Sequence, residues 1–239
     1  EDKIDVVKIL VAHGANLNLV PIGLREYAFG ASSAPLKERE LMKSATWGDA
    51  PLLLAIRRGY TDLVDYFLEK GANPVLSNHR GETPIFVAAA RGQSKSVKFL
   101  LDKGVDPNTL ETEKLTVSMT NTLQVMGRNI PLITASQAGH TEVVRILLEA
   151  GAEVNHQGFF NRTALFWAVE RGYAPTVDVL LKNGANPNLN DVEGLTPLIV
   201  ASRNGNKRIV KLLIQNEAEL NKTELADIPG EGGKAFNTT

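Results

Sequence analysis

One segment recurs along this 239-residue chain, and its fixed spacing constrains the fold more than any other feature. The clearest copy begins Thr196-Pro197-Leu198-Ile199-Val200-Ala201 and continues through Asn204-Gly205 to an apolar run that ends at Leu213. Equivalent positions are spaced by 33 residues except for one step of 47, and they are Pro51, Pro84, Pro131, Ala164 and Pro197. A second marker keeps the same steps, at Gly71, Gly104, Gly151 and Gly184. The spacing predicts stacked units, none of which buries its apolar face alone.

Each unit is predicted to contain two helices separated by a glycine. Proline favours the first helical position, where its missing N–H is not needed. Threonines precede three of these positions as predicted N-caps, at Thr83, Thr163 and Thr196. Glycines suited to the left-handed helix end follow, at Gly59, Gly92, Gly139, Gly172 and Gly205. In the last unit Glu217 replaces the glycine that ends the second helix, which predicts a looser or rearranged helix end there.

The spacing also divides the chain into units and insertions. A partial unit is predicted at 1–20, and full units at 45–77, 78–110, 125–157, 158–190 and 191–223. The insertion at 21–44 is predicted to hold a short helix, and the insertion at 111–124 an elongated β-hairpin. Residues 224–239 are interpreted as a flexible tail or the start of an irregular unit. Because the partial unit lacks its first helix, we expect the sequence to be part of a longer chain.

These repeats resemble the ankyrin-repeat family. The family signature, Thr-Pro-Leu-His-x-Ala with Gly-His and Gly-Ala-x-x-Asn, is met by Thr196-Pro197-Leu198, Gly139-His140 and Gly151-Ala152-Glu153-Val154-Asn155. The resemblance covers 1–19 and 45–223 and implies an all-α solenoid of stacked helix-turn-helix units, with β-hairpin loops and two loop insertions. Apolar residues replace the signature His, which implies more reliance on apolar packing; they are Leu53, Phe86, Ile133, Phe166 and Ile199. Val75 replaces the usual loop Asn.

Composition and motifs point away from catalysis. The net charge of −1 offers no general attraction for nucleic acid, and the absence of cysteine removes thiolate metal sites and a cysteine nucleophile. The four histidines lack the spacing of metal ligands, and His140 is expected to pack at the start of a second helix. No apolar run reaches the roughly 20 residues that span a membrane. We therefore expect no enzyme activity, no cofactor, no metal, no nucleic-acid partner and no membrane insertion, in a cytoplasmic or otherwise intracellular setting.

The resemblance implies partner recognition by the loop tips and the exposed side of the first helices, which together form a concave groove. Mapped onto this sequence, the predicted partner-binding residues are Trp47, Asp49, Arg57, Arg58, His79, Arg80, Glu82, Arg91, Met126, Asn129, Phe159, Phe160, Arg162, Glu170, Arg171 and Arg203. The aromatic pair is the sharpest feature, either as a binding hot spot or as a ring packed on a neighbouring hairpin. The arginines suit bidentate binding of carboxylates, although a cation near a helix C-terminus is favoured in any case.

We therefore predict a non-catalytic protein–protein interaction module that binds a protein or extended peptide in its groove. It is expected to be a monomeric array within a longer multidomain protein. Three alternatives remain open, and the first two are a substrate-recruiting arm of an enzyme or effector and a binder of a small anionic ligand through Arg57, Arg58 and Arg91. A purely structural spacer is the third.

Overall fold

The protein is a row of short helix pairs. The computed structural model describes residues 2–19, 49–78, 81–110 and 128–220, so the predicted insertions at 21–44 and 111–124 and the tail at 224–239 lie outside the described residues. Helix α1 spans Asp2–Ala12 and is followed by five pairs. The pairs are Pro51–Arg58 (α2) with Thr61–Glu69 (α3), Pro84–Ala90 (α4) with Ser94–Asp102 (α5), Pro131–Ala138 (α6) with Thr141–Glu149 (α7), Ala164–Glu170 (α8) with Ala174–Lys182 (α9), and Pro197–Arg203 (α10) with Lys207–Gln215 (α11).

The pairs stack side by side. The first helices α2, α4, α6, α8 and α10 contact one another in that order, and the second helices from α3 to α11 form a parallel row. Helices α4 and α6 are direct neighbours, although the 111–124 insertion separates them in the sequence. The predicted all-α repeat solenoid is therefore confirmed. The connections between pairs that lie in the described ranges are turns, with a short 3-10 helix at Phe159–Asn161 and without an assigned strand.

Local signals account for most helix ends. Four first helices begin at the predicted prolines, and each central glycine adopts a positive φ. Thr163 and Thr196 accept hydrogen bonds from the N–H groups of Phe166 and Ile199, as N-caps do. Thr83 occupies the same position, but its buried hydroxyl has no hydrogen-bond partner in the described residues. Side-chain capping by Thr83 was therefore a wrong prediction.

The end of α11 also differs from expectation. Glu217 takes φ 65°, the left-handed conformation that the other units assign to glycine. The N–H groups of Glu217 and Ala218 donate to Ile214 and Leu213, as those of Gly184 and Ala185 donate to Leu181 and Leu180. The predicted loosening is therefore wrong. Glu217 keeps the backbone geometry of the repeat, although the left-handed conformation costs free energy for a residue that has a side chain.

One apolar core runs through the array, from Leu17 to Ala218. Four of the five residues that replace the signature His belong to it: Leu53, Ile133 and Phe166 are at most 1% exposed, and Phe86 is 6% exposed. Ile199, in the last described pair, is 36% exposed because no further helix covers it among the described residues. Where both neighbouring pairs are described, apolar side chains therefore pack at the position of the signature His.

Asparagines connect neighbouring pairs at the loop that follows each second helix. Asn155 Nδ2 donates to the carbonyl of Gly184 at 3.1 Å, and its Oδ1 accepts from the N–H of Asn186 at 2.7 Å. The same two bonds are made by Asn18, Asn108 and Asn188. Val75 has no amide with which to make this bridge and is 52% exposed. The contact between α2–α3 and α4–α5 therefore lacks one of the recurring links.

Candidate functional site

Arg57, in the last turn of α2, is the centre of a charged network. Its Nε donates to Asp49 Oδ2 at 2.7 Å, and its Nη2 donates to Glu82 Oε2 at 2.7 Å. Asn78 Nδ2 donates to both carboxylates, at 2.8 and 2.7 Å. The hydrogen bond to Asp49 is the main cause that raises the pKa of Arg57, so the guanidinium is charged at every physiological pH. The Asp49 side chain is fully buried, and the network joins two neighbouring pairs of the array.

A second network surrounds Arg162, just before α8. Its Nε donates to Asp191 Oδ2 and its Nη1 donates to Glu170 Oε1, both at 3.1 Å. The guanidinium carbon also lies 4.7 Å from the Phe166 ring centre and 5.0 Å from that of Trp167. Both are within the range of a favourable cation–π contact. The Asp191 side chain is fully buried, so Arg162 and Glu170 also have structural partners.

The two networks occupy the same positions of the repeat with their charges exchanged. Asp49 and Arg162 precede their first helices by the same distance, and Arg57 and Glu170 follow them eight residues later. Treating each predicted residue singly missed these pairs, together with the contributions of Asn78 and Asp191. The sequence contains this signal. When the units are aligned, these two positions carry opposite charges in two of them: Asp49 with Arg57 in one, and Arg162 with Glu170 in the other.

The aromatic pair lies in a tight loop between α7 and α8. The N–H of Arg162 donates to the carbonyl of Phe159 at 3.2 Å, and Phe160 and Asn161 between them have φ of 60° and 57°. Two successive positive φ values characterise a type I′ turn, which favours Asn and Gly. A bulky aromatic residue in this conformation is uncommon and costs free energy. The loop therefore holds Phe160 in place at a conformational cost.

The two rings have different surroundings. Phe159 is half-buried, and its N–H donates to Asn129 Oδ1 at 3.2 Å. Phe160 is 46% exposed, and its carbonyl accepts from the N–H of Val192 at 3.0 Å. Val192 is itself 51% exposed. Asn129 thus has a structural role, while Phe160 and Val192 form an apolar tip that joins two adjacent loops.

Four predicted arginines have no such partners. In the part of the chain that the structure describes, each is exposed and makes no hydrogen bond or ion pair; they are Arg58, Arg91, Arg171 and Arg203. The first three occupy the same position of the repeat, directly before the left-handed glycine that follows each first helix. Ala138 occupies this position in α6. Within the described residues, the predicted arginines therefore form two groups: Arg57 and Arg162 pair with carboxylates of the fold, and the other four have no such partner.

An apolar groove of about 560 Å³ lies between α1 and the pair α2–α3. Its walls include Val7, Val11, Leu54 and Phe67, and Arg58 also lines it. In the described residues, α1 has the position of a second helix and contributes one wall of the groove. Helix α1 also has exposed apolar side chains, such as Ile9 at 58%.

The remaining predicted site residues, Trp47, His79, Arg80 and Met126, lie outside the described residues. Among the residues that are described, no cluster of His, Asp or Glu has the size to hold a metal ion. No helix within those ranges is long and apolar enough to cross a membrane. His140 packs as expected: its ring covers Gly92, and its Nε2 lies 3.0 Å from the carbonyl oxygen of Ala90.

Comparison with protein-family models gave three matches to the model described as ankyrin repeats (3 copies), at residues 29–111, 115–191 and 132–224. A search of curated proteins gave no match.

Proposed function

Because the chain belongs to the ankyrin-repeat family, whose members are generally protein–protein interaction modules, we propose that it binds an acidic protein segment along its first helices. The segment lies against the exposed arginines, and the Phe160 tip supplies an apolar contact. The module carries out no chemistry on its partner and acts within a longer multidomain protein. A substrate-recruiting arm of an enzyme or effector would use the same surface.

The observation that carries this proposal is the separation of paired from unpaired arginines. Arg57 and Arg162 each have two carboxylate partners within the fold. Arg58, Arg91 and Arg171 have none within the described residues, and they recur at one position of the stacked first helices. A guanidinium presents a planar fork that matches a carboxylate. A row of unsatisfied forks on one face therefore suits a partner that carries carboxylates.

The Phe160 tip adds the apolar part of the surface. Exposed aromatic side chains are enriched among the residues that dominate binding energy at protein interfaces. Phe160 is fixed by its turn and by the hydrogen bond from Val192, so little conformational entropy is lost when it is covered. The strained backbone is consistent with this role, since conformational strain concentrates at functional positions.

Affinity capture from a cell extract with the 239-residue chain tests the proposal. The test variant carries Arg58→Glu, Arg91→Glu and Arg171→Glu. A matched variant carries Lys95→Glu, Lys98→Glu and Arg145→Glu. These substitutions change the net charge by the same amount as the test variant does, but the three residues lie on the exposed side of the second helices. We expect the first variant to lose its bound proteins and the second to retain them. Equal retention by both variants would contradict the proposal.

A small anion is the competing ligand for the same arginines. Among Arg57, Arg58 and Arg91, Arg57 is the least available, because its Nε and Nη2 already donate to Asp49 and Glu82. Titration of the chain with inorganic phosphate and with nucleotides distinguishes the two ligands. We expect no saturable binding of either anion. Saturable binding that is abolished by Arg58→Glu would replace the protein segment with a small-anion site.

A further inference from the structure

The repeat position that holds Arg58, Arg91 and Arg171 recurs once at the end of each first helix of the array, and this spacing constrains the conformation of the partner. We infer, on the basis of the proposed function, that the partner is a polyproline-II segment with acidic residues at positions i, i+3 and i+9. These residues would pair with Arg58, Arg91 and Arg171 in turn. The residue at i+6 would face Ala138, where the row has no cation.

The spacing follows from the stacking of the first helices. Helices α2, α4, α6 and α8 are consecutive neighbours, and the axes of packed helices lie about 8–10 Å apart. Arg58 and Arg91 are therefore one such step apart. Arg91 and Arg171 are two steps apart, because Ala138 on α6 takes the intervening position. Asn204 takes the last position, at the end of α10, so three of the five positions in the row are positively charged.

The conformation of the segment follows from the same step. A polyproline-II helix has three residues per turn and rises about 3.1 Å per residue, so every third residue returns to the same face about 9 Å further on. This repeat falls within the helix spacing of about 8–10 Å. In a β-strand, the residue at i points to one face and the residues at i+3 and i+9 point to the other, so a strand could not present all three acids to the arginines. The row therefore favours polyproline II over an extended strand.

Fluorescence anisotropy with two labelled peptides tests the spacing. Both contain the same Glu, Ala and Pro residues; one has Glu at i, i+3 and i+9, and the other has its three Glu residues adjacent. A third peptide with the reversed spacing of i, i+6 and i+9 determines the chain direction. We expect the better of the spaced peptides to bind roughly fivefold more tightly than the clustered peptide, since two additional exposed ion pairs form.

A gain-of-function variant supplies an independent readout. Ala138 is half-buried on α6, and Ala138→Arg would fill the gap between Arg91 and Arg171. We expect this variant to bind a peptide with an added Glu at i+6 more tightly than the unmodified protein does. Its affinity for the peptide with Ala at i+6 is expected to be unchanged. Improvement with both peptides would indicate a general charge effect and would overturn the proposed register.

The outcomes separate this inference from the proposed function. If the spaced and clustered peptides bind equally, and both are lost with Arg58→Glu, Arg91→Glu and Arg171→Glu, the spacing is wrong while the acidic partner stands. If no peptide binds and the same triple variant captures every protein that the unmodified chain captures, both are wrong. A fivefold preference that disappears in Arg91→Glu and returns when the i+3 Glu is replaced by Lys would support the assigned pairing.

Discussion

Arg57 and Asp49 form an ion pair across eight residues of the chain, with 2.7 Å between Nε and a buried carboxylate oxygen. Glu170 and Arg162 repeat this relationship with the charges exchanged. In both cases a carboxylate of the next helix pair, Glu82 or Asp191, completes the network. These charges link successive pairs of the array.

The first prediction concerns the stability contributed by Arg57. Arg57→Ala would leave the Asp49 carboxylate buried without its cation. We expect the free energy of unfolding to fall by roughly 2 kcal/mol, less than for a fully buried pair because the Arg57 side chain is 25% exposed. Arg58→Ala, one residue further along α2, is expected to change it by no more than about 0.5 kcal/mol. Urea unfolding of the two variants compares them, and equal losses would show that the network does not stabilise the fold.

The second prediction restores the missing asparagine link. Val75→Asn would place an amide where it can reach the carbonyl of Gly104 and the N–H of Asp106, the counterparts of the partners of Asn155. We expect a gain of about 1 kcal/mol, the net value of a typical hydrogen bond. Amide exchange at Asp106 is expected to slow. Val75→Ala is the control, and a gain of the same size in that variant would attribute the effect to the removal of an exposed valine.

The third prediction distinguishes two roles of glycine. Gly92 and Gly205 share φ +67°, so an alanine at either position costs about 1 kcal/mol of conformational strain. A Cβ at Gly92 would also lie 2.6 Å from His140 Nδ1, whereas no described atom lies within 4 Å of one at Gly205. We expect Gly92→Ala to destabilise the protein by at least about 1 kcal/mol more than Gly205→Ala. In a His140→Ala background this difference is expected to disappear; its persistence would rule out the steric explanation.

The fourth prediction sets stability against binding at the loop tip. Phe160→Gly removes a bulky side chain from a left-handed conformation, so we expect the free energy of unfolding to rise by about 1 kcal/mol. Capture of the partner is expected to weaken at the same time. Phe160→Asn serves as a second variant, because Asn tolerates the same φ and lacks the ring. Undiminished capture by both variants would show that the aromatic ring makes no contact with the partner.

The helices were predictable from the sequence because their signals are local. Helix α2 begins at Pro51 and ends before Gly59, because the backbone preferences of proline and glycine act within a few residues. The same reasoning was wrong for Glu217, where hydrogen bonds from neighbouring residues impose a conformation that glutamate alone disfavours. The helix-end bonds, together with the bond from Asn188 Nδ2 to the Glu217 carbonyl, offset a local cost of about 1 kcal/mol.

The functional surface was less predictable, because exposure depends on how loops fold back on helices. Arg57 and Arg58 are adjacent in the sequence, yet one is held by two carboxylates and the other is free in the described structure. Position in the repeat suggested both equally well. Phe159 and Phe160 likewise separate into a half-buried and an exposed ring only once the turn is known.

The most direct test of whether the unpaired arginines form the recognition surface is to measure binding of the spaced acidic peptide to two triple variants. Each variant is first checked for an unchanged melting temperature. We predict that Arg58→Glu, Arg91→Glu and Arg171→Glu together abolish binding, and that Lys95→Glu, Lys98→Glu and Arg145→Glu leave the affinity within about twofold, since those cations lie on the second helices and are affected only through screened long-range charge. Equal loss of affinity in both variants would contradict this assignment and would show that net charge alone governs binding.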